Sequence, residues 1–154
     1  MIAVDGARRM TWPETVVADP VEAIIRAYSK GENVRWIPLD RRQVNALCAG
    51  ILRRGGVELL LDEITFWTLS GWAPQHLDAL IRTHAPPLDV RIRMTTQDPM
   101  GFTRKLRTCV SDVYGFRLED DAALSWVRMW FKERTPALKS LKKRKYFEWH
   151  VDGI

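Results

Sequence analysis

Residues 57–61 read VELLL, and Asp62-Glu63 follow at once. A short, almost wholly apolar run between a Gly-Gly pair and an acid pair reads as a β-strand covered on both faces. Strands covered on both faces belong to parallel sheets, so this one segment narrows the fold to α/β. The rest of the chain alternates accordingly. Met1–Asp5, Val34–Pro38, Val90–Thr96, Asp112–Leu118 and Tyr146–Val151 read as further strands. Arg residues alternate along Val90–Thr96, which suits a less covered position. Helices are predicted at Pro20–Lys30, at 41–54 with Asp40 as N-cap, at Pro74–His84 and at Asp120–Lys132, with shorter ones within Pro99–Cys109 and at Leu138–Lys143. The expected architecture is a mostly parallel sheet flanked by helices on both faces, in a single domain over 1–154.

Composition sets the outer limits. A chain of 154 residues that is 46% hydrophobic and 28% charged can bury a real core. A net charge of +5 and a pI near 9.5 permit an anionic partner without requiring one. No apolar stretch approaches the roughly 20 residues that cross a bilayer, and the first residues lack a secretory pattern, so no membrane segment and a cytoplasmic location are expected. Cys48 and Cys109 each sit beside apolar residues without metal-type spacing and read as two buried thiols. His76, His84 and His150 are scattered. Trp126 and Trp130, four apart, read as core rather than as a base-stacking platform.

Parallel sheets carry their sites at the carboxyl ends of the strands. That rule sets Asp5, Asp62-Glu63, Gln97 and Glu119 along one rim. Phosphoryl transfer to water needs a metal to neutralise phosphate charge and a group that positions the attacking water. Asp62 suits the metal, Mg²⁺, and Glu63 the water. The following strand ends MTTQDP, so Thr95, Thr96 and Gln97 sit where a polar side chain can reach a γ-phosphate. Two plainer uses of the acids stay open: a strand stopping at the surface, or a metal-dependent hydrolase or nuclease built on Asp5, Asp62 and Glu63.

The order of these segments carries a resemblance. VELLLDEITFW, then LDALIRTHAPPLDVRIRMTTQDP, then GFTRKLRTCVSDVYGFRLEDDAAL, then KKRKYFEWHVDG resembles the HerA/FtsK-type branch of P-loop ATPases, which includes viral DNA-packaging ATPases and Zot-like phage proteins. LLLDE and TTQDP are its specific parts. The resemblance implies Asp62 as the Walker B aspartate, Glu63 as the catalytic glutamate and Gln97 as the polar sensor. It implies ATP and Mg²⁺ as cofactors, DNA (double- or single-stranded) as partner, and a homo-oligomeric, hexameric ring. It also implies an arginine acting on a neighbour's nucleotide. Arg82 occupies the matching turn, but Arg82-Thr83-His84 stands where the family has Arg-Gly-Arg-His; Arg104 and Arg107 are its rivals.

The family's phosphate cradle, G-x-x-x-x-G-K-[ST], occurs nowhere in this sequence. MIAVDG looks like the strand that comes after that cradle, so the chain is expected to begin one β-α unit late. Three readings stay open: part of a longer ATPase with the Walker A unit encoded upstream, a member that no longer hydrolyses ATP, or another small α/β protein. In the second case the basic segments TRKLR and LKKRK, with nearby aromatics, suit a nucleic-acid-binding or assembly subunit.

Overall fold

The computed structural model describes residues 1–6, 8–40, 42–67, 73–84, 87–98, 101, 109, 112–116, 119–131, 136–142 and 146–150. The chain divides into two compact units, Met1–Gln97 and Asp98–Ile154. In the first, five strands form one parallel sheet: β1 (Ile2–Val4), β2 (Thr15–Val17), β3 (Val34–Trp36), β4 (Glu58–Leu61) and β5 (Arg91–Met94). Their order across the sheet is β2-β3-β1-β4-β5, all neighbours parallel. The helices of this unit are α1 (Pro20–Ser29), α2 (Gln43–Arg54), the single turn α3 (Ile64–Trp67) and α4 (Gln75–Ala79), which continues as a π-helical turn over Leu80–His84.

Burial agrees with the pattern of the sequence. Ile2, Ala3 and Val4 of β1 and Leu59 and Leu61 of β4 are wholly excluded from solvent. Burying each large side chain stabilises the fold by about 2 kcal/mol. β5 closes one side of the sheet, and its two arginines are exposed while Ile92 and Met94 are half-buried. Arg93 pairs across the strands with Glu58 at 2.7 Å. The alternating arginines thus mark the outermost strand.

Local chemistry fixes the ends of the elements. Asp19 caps α1, its carboxylate accepting from the amides of Val21 and Glu22, and Pro20 occupies the first turn, where its missing N–H costs nothing. α2 ends at Gly55 with φ 65, a left-handed conformation against the carbonyl of Leu88; a Cβ there would lie 2.4 Å from that oxygen. The Gly-Gly pair is therefore the corner that turns α2 into β4. The start of α2 differs from expectation. It begins at Gln43 rather than 41, with Arg42 as N-cap and no side-chain cap. Asp40 instead accepts from the Arg42 amide and guanidinium, while the Gln43 side chain reaches back to the amides of Leu39 and Asp40. One carboxylate oxygen of Asp40 thus closes a turn just ahead of the helix, and the other takes the guanidinium.

Four further differences concern single elements or residues. β2, only three residues long, is too short to show a period, and α3 is a single turn. The expected helix Pro74–His84 is α-helical only over Gln75–Ala79 before widening to the π form. Cys48 is buried in α2, which pushes its thiol up to about 12, but Cys109 is exposed, so only one of the two thiols is a core residue.

The second unit holds β6 (Asp112–Phe116), α5 (Asp121–Phe131), α6 (Pro136–Ser140) and β7 (Tyr146–His150). β6 and β7 pair antiparallel rather than joining a parallel run. On α5, Ala123 and Val127 are buried and Trp126 half-buried. The expected short helix in Pro99–Cys109 falls largely outside the described residues. No helix among the described residues is long and apolar enough to cross a membrane.

Candidate functional site

Register builds the site. Val4 pairs with Leu61, and Leu61 with Met94, so the next residue on each strand, Asp5, Asp62 and Thr95, falls on one row at the carboxyl rim. The ladder runs on through that row: Asp5 N donates to the Trp36 carbonyl at 2.9 Å, Asp62 N to Val4 at 3.1 Å and Thr95 N to Leu61 at 3.0 Å. Glu63 then leaves the sheet in a left-handed conformation, φ 50, and Ile64 N returns to the Thr95 carbonyl at 2.8 Å. A non-glycine residue held there costs about 1 kcal/mol or more and persists because its surroundings demand it.

Those surroundings are a polar network. The Thr95 hydroxyl accepts from the Glu63 amide at 3.0 Å and donates to Asp62 Oδ1 at 2.7 Å, so one side chain fixes both acids. The Glu63 carboxylate is held on three sides. Thr65 Oγ1 donates to its Oε1 at 2.7 Å and Thr96 Oγ1 to the same oxygen at 2.8 Å, while the Gln97 amide donates to Oε2 at 3.0 Å. Behind this, Trp67, 3% exposed, donates its indole N–H to the Asp62 carbonyl at 3.2 Å. The network thus joins Asp62, Glu63, Thr96 and Gln97, four of the residues singled out in the sequence.

Asp5 is on the same rim with a different environment. It is 1% exposed, and its two oxygens accept from the amides of Arg9 at 2.9 Å and Met10 at 3.1 Å. A carboxylate so engaged and so deeply buried holds a loop and is poorly exposed to a metal. Among the described residues no three His, Cys, Asp or Glu gather in a way that would hold an ion by themselves. That arrangement does not favour the nuclease reading built on Asp5, Asp62 and Glu63.

A nucleotide-bound Mg²⁺ makes a different demand: one or two carboxylates, with the remaining positions filled by phosphate oxygens and water. Asp62 fits. It is half-buried, Oδ1 is fixed by Thr95, and Oδ2 carries no hydrogen bond among the described residues.

The arginines expected to act in trans are less informative. Arg82 is exposed in the π-helical turn and pairs with Asp78 one turn earlier at 3.2 Å. Arg104 and Arg107 lie outside the described residues, as does TRKLR; of LKKRK only Leu141 and Lys142 are described. Glu119 belongs to the second unit. Sequence reasoning missed Thr65 and Arg9. The Arg9 guanidinium reaches Gln97 Oε1 at 3.5 Å, a contact between residues 88 apart that no local pattern announces.

No family model and no curated protein matches the sequence. Solved structures do match its fold. The genome-packaging NTPase B204 of Sulfolobus turreted icosahedral virus 2, in complex with sulfate, superposes with a TM-score of 0.78 at 14% identity, over 98% of this chain and 76% of that one. The same protein in complex with AMP gives 0.77 at 14% identity, over 97% and 76%. B204 of Sulfolobus turreted icosahedral virus, a DNA-packaging ATPase, gives 0.73 at 14% identity, over 97% and 77%. At this identity the likeness is one of fold. The parallel five-stranded sheet flanked by helices matches the P-loop NTPase fold of these packaging NTPases.

Proposed function

We propose that this chain is part of an ATP-hydrolysing DNA translocase or packaging motor of the HerA/FtsK type and supplies its Walker B and polar-sensor strands. The single observation that carries this reading is the network in which Thr95 ties Asp62 to Glu63 while Gln97 and Thr96 hold the Glu63 carboxylate. In this reading Asp62 holds a nucleotide-bound Mg²⁺, whose charge offsets that of the phosphates. Glu63, released from Thr65 and Thr96, orients water and accepts its proton. Gln97 senses the terminal phosphate through the same backbone that grips Glu63. Thr96 faces the nucleotide, and Arg82 or Arg107 is the candidate for action on a neighbouring subunit in a ring. The fold shared with nucleotide-complexed packaging NTPases supports ATP as the cofactor and DNA as the partner.

ATP turnover by the full natural protein that contains this chain tests this. Glu63→Gln is expected to lower turnover about 100-fold or more with nucleotide binding retained, since a positioned base contributes on that scale. Unchanged turnover would remove Glu63 from the mechanism.

A second reading has one observation of its own, the lack of G-x-x-x-x-G-K-[ST] in the sequence. In it the chain is an inactive nucleic-acid-binding or assembly subunit derived from such an ATPase. Salt-dependent DNA binding that survives Asp62→Ala, with no nucleotide effect, is its signature.

A further inference from the structure

The loop between β1 and β2 is anchored at several points for a surface turn. Asp5, buried at the end of β1, accepts the amides of Arg9 and Met10, and Arg35 Nη1 donates to the Met10 carbonyl. Gly6 lies against Trp67, and a Cβ there would come 2.4 Å from the indole ring. Each anchor fixes backbone, and the exposed side chain of Arg9 reaches across the rim to Gln97.

The Arg9–Gln97 contact is at the long limit of a hydrogen bond and solvent-exposed, so it is weak and readily exchanged. Among the described residues Arg9 pairs with no carboxylate. The neighbouring acids, Asp62 and Glu63, repel any polyanion that approaches the rim, and an arginine held beside them offsets that repulsion. A guanidinium also offers a planar pair of donors that matches phosphate oxygens.

We infer that Arg9 is a phosphate-binding residue of this rim, leaving Gln97 to contact the oligophosphate of a nucleoside triphosphate. The inference rests on the proposed nucleotide site and adds to it a cation supplied from the β1–β2 loop. Exchange of Gln97 for phosphate also couples occupancy to Glu63, because the Gln97 amide is one of the three groups holding the Glu63 carboxylate.

The test is titration of the full chain with inorganic tripolyphosphate at low salt, monitored by amide NMR shifts, for the wild type, Arg9→Ala, Arg9→Lys and Gln97→Ala. The backbone amide that Asp5 holds is kept in both Arg9 variants, so folding is expected to be undisturbed. Arg9→Ala should weaken binding about 10-fold and flatten its salt dependence, Arg9→Lys should recover part of the loss, and Gln97→Ala should weaken binding by much less than Arg9→Ala does. No binding by the wild type, equal binding by Arg9→Ala, or a loss in Gln97→Ala as large as in Arg9→Ala would overturn the inference; the last would make Arg9 a tether for Gln97. A parallel Mn²⁺ titration separates the two claims. Mn²⁺ bound at Asp62 with no role for Arg9 sinks this inference alone, whereas loss of both sinks the nucleotide site with it.

Discussion

Asp5 and Asp62 stand side by side at the ends of adjacent parallel strands, each the first polar residue after an apolar run. Their fates differ. Asp5 is 1% exposed with both oxygens taken by backbone amides, whereas Asp62 is half-buried with one oxygen fixed by a threonine. The difference arises in the turn that leaves each strand. After Asp5 the chain turns back over its own strand end, through Gly6 and a left-handed Arg8 with φ 56, and delivers two amides to the carboxylate. After Asp62 the left-handed turn at Glu63 carries the chain away into α3, and the side chain from the next strand, Thr95, takes only Oδ1. Similar apolar-run-then-Asp patterns thus give one acid to architecture and leave one oxygen of the other without a protein partner among the described residues.

The comparison can be broken by removing each acid in turn. Asp5→Ala strands the amides of Arg9 and Met10 and is expected to cost about 2 kcal/mol of stability, read by denaturant melts. Asp62→Ala should change stability by less than about 1 kcal/mol, since Thr95 can turn to water. Equal losses would mean that Asp62 is as structural as Asp5. A smaller effect sharpens the contrast. Thr95→Val keeps the shape but removes the hydroxyl that joins the two acids, and should cost about 1 kcal/mol and shift the Glu63 amide resonance. Thr95→Ser should restore both. If Thr95→Val moves neither, the hydroxyl is not what fixes Glu63.

Much of this rim was legible in the sequence, for a reason in the strands themselves. In a parallel sheet with aligned ends, an apolar run followed by acid, and another followed by TTQ, must bring those residues to one edge; the register Leu61 to Met94 does so. What was not legible depended on contacts far apart in the chain. Arg9 meets Gln97 because Asp5 bends a loop, and the same bend makes Asp5 unsuited to a metal although its pattern matches that of Asp62. Asp40 lies two residues ahead of the observed N-cap, Arg42, and its carboxylate closes the preceding turn. β2, three residues of TVV, has too few positions for a period, and nothing in the residues of β6 or β7 themselves announces that they pair antiparallel.

In the proposed function Asp62, and not Asp5, is the metal-holding end of this sheet, with Glu63, Thr95 and Gln97 around it. Mn²⁺ standing in for Mg²⁺ tests it directly through paramagnetic broadening of assigned amide signals. Broadening is expected to centre on Asp62, Glu63, Thr95 and Gln97 and to vanish in Asp62→Asn. Broadening that persists in that variant, or that centres on Asp5 and the loop it holds, would contradict it.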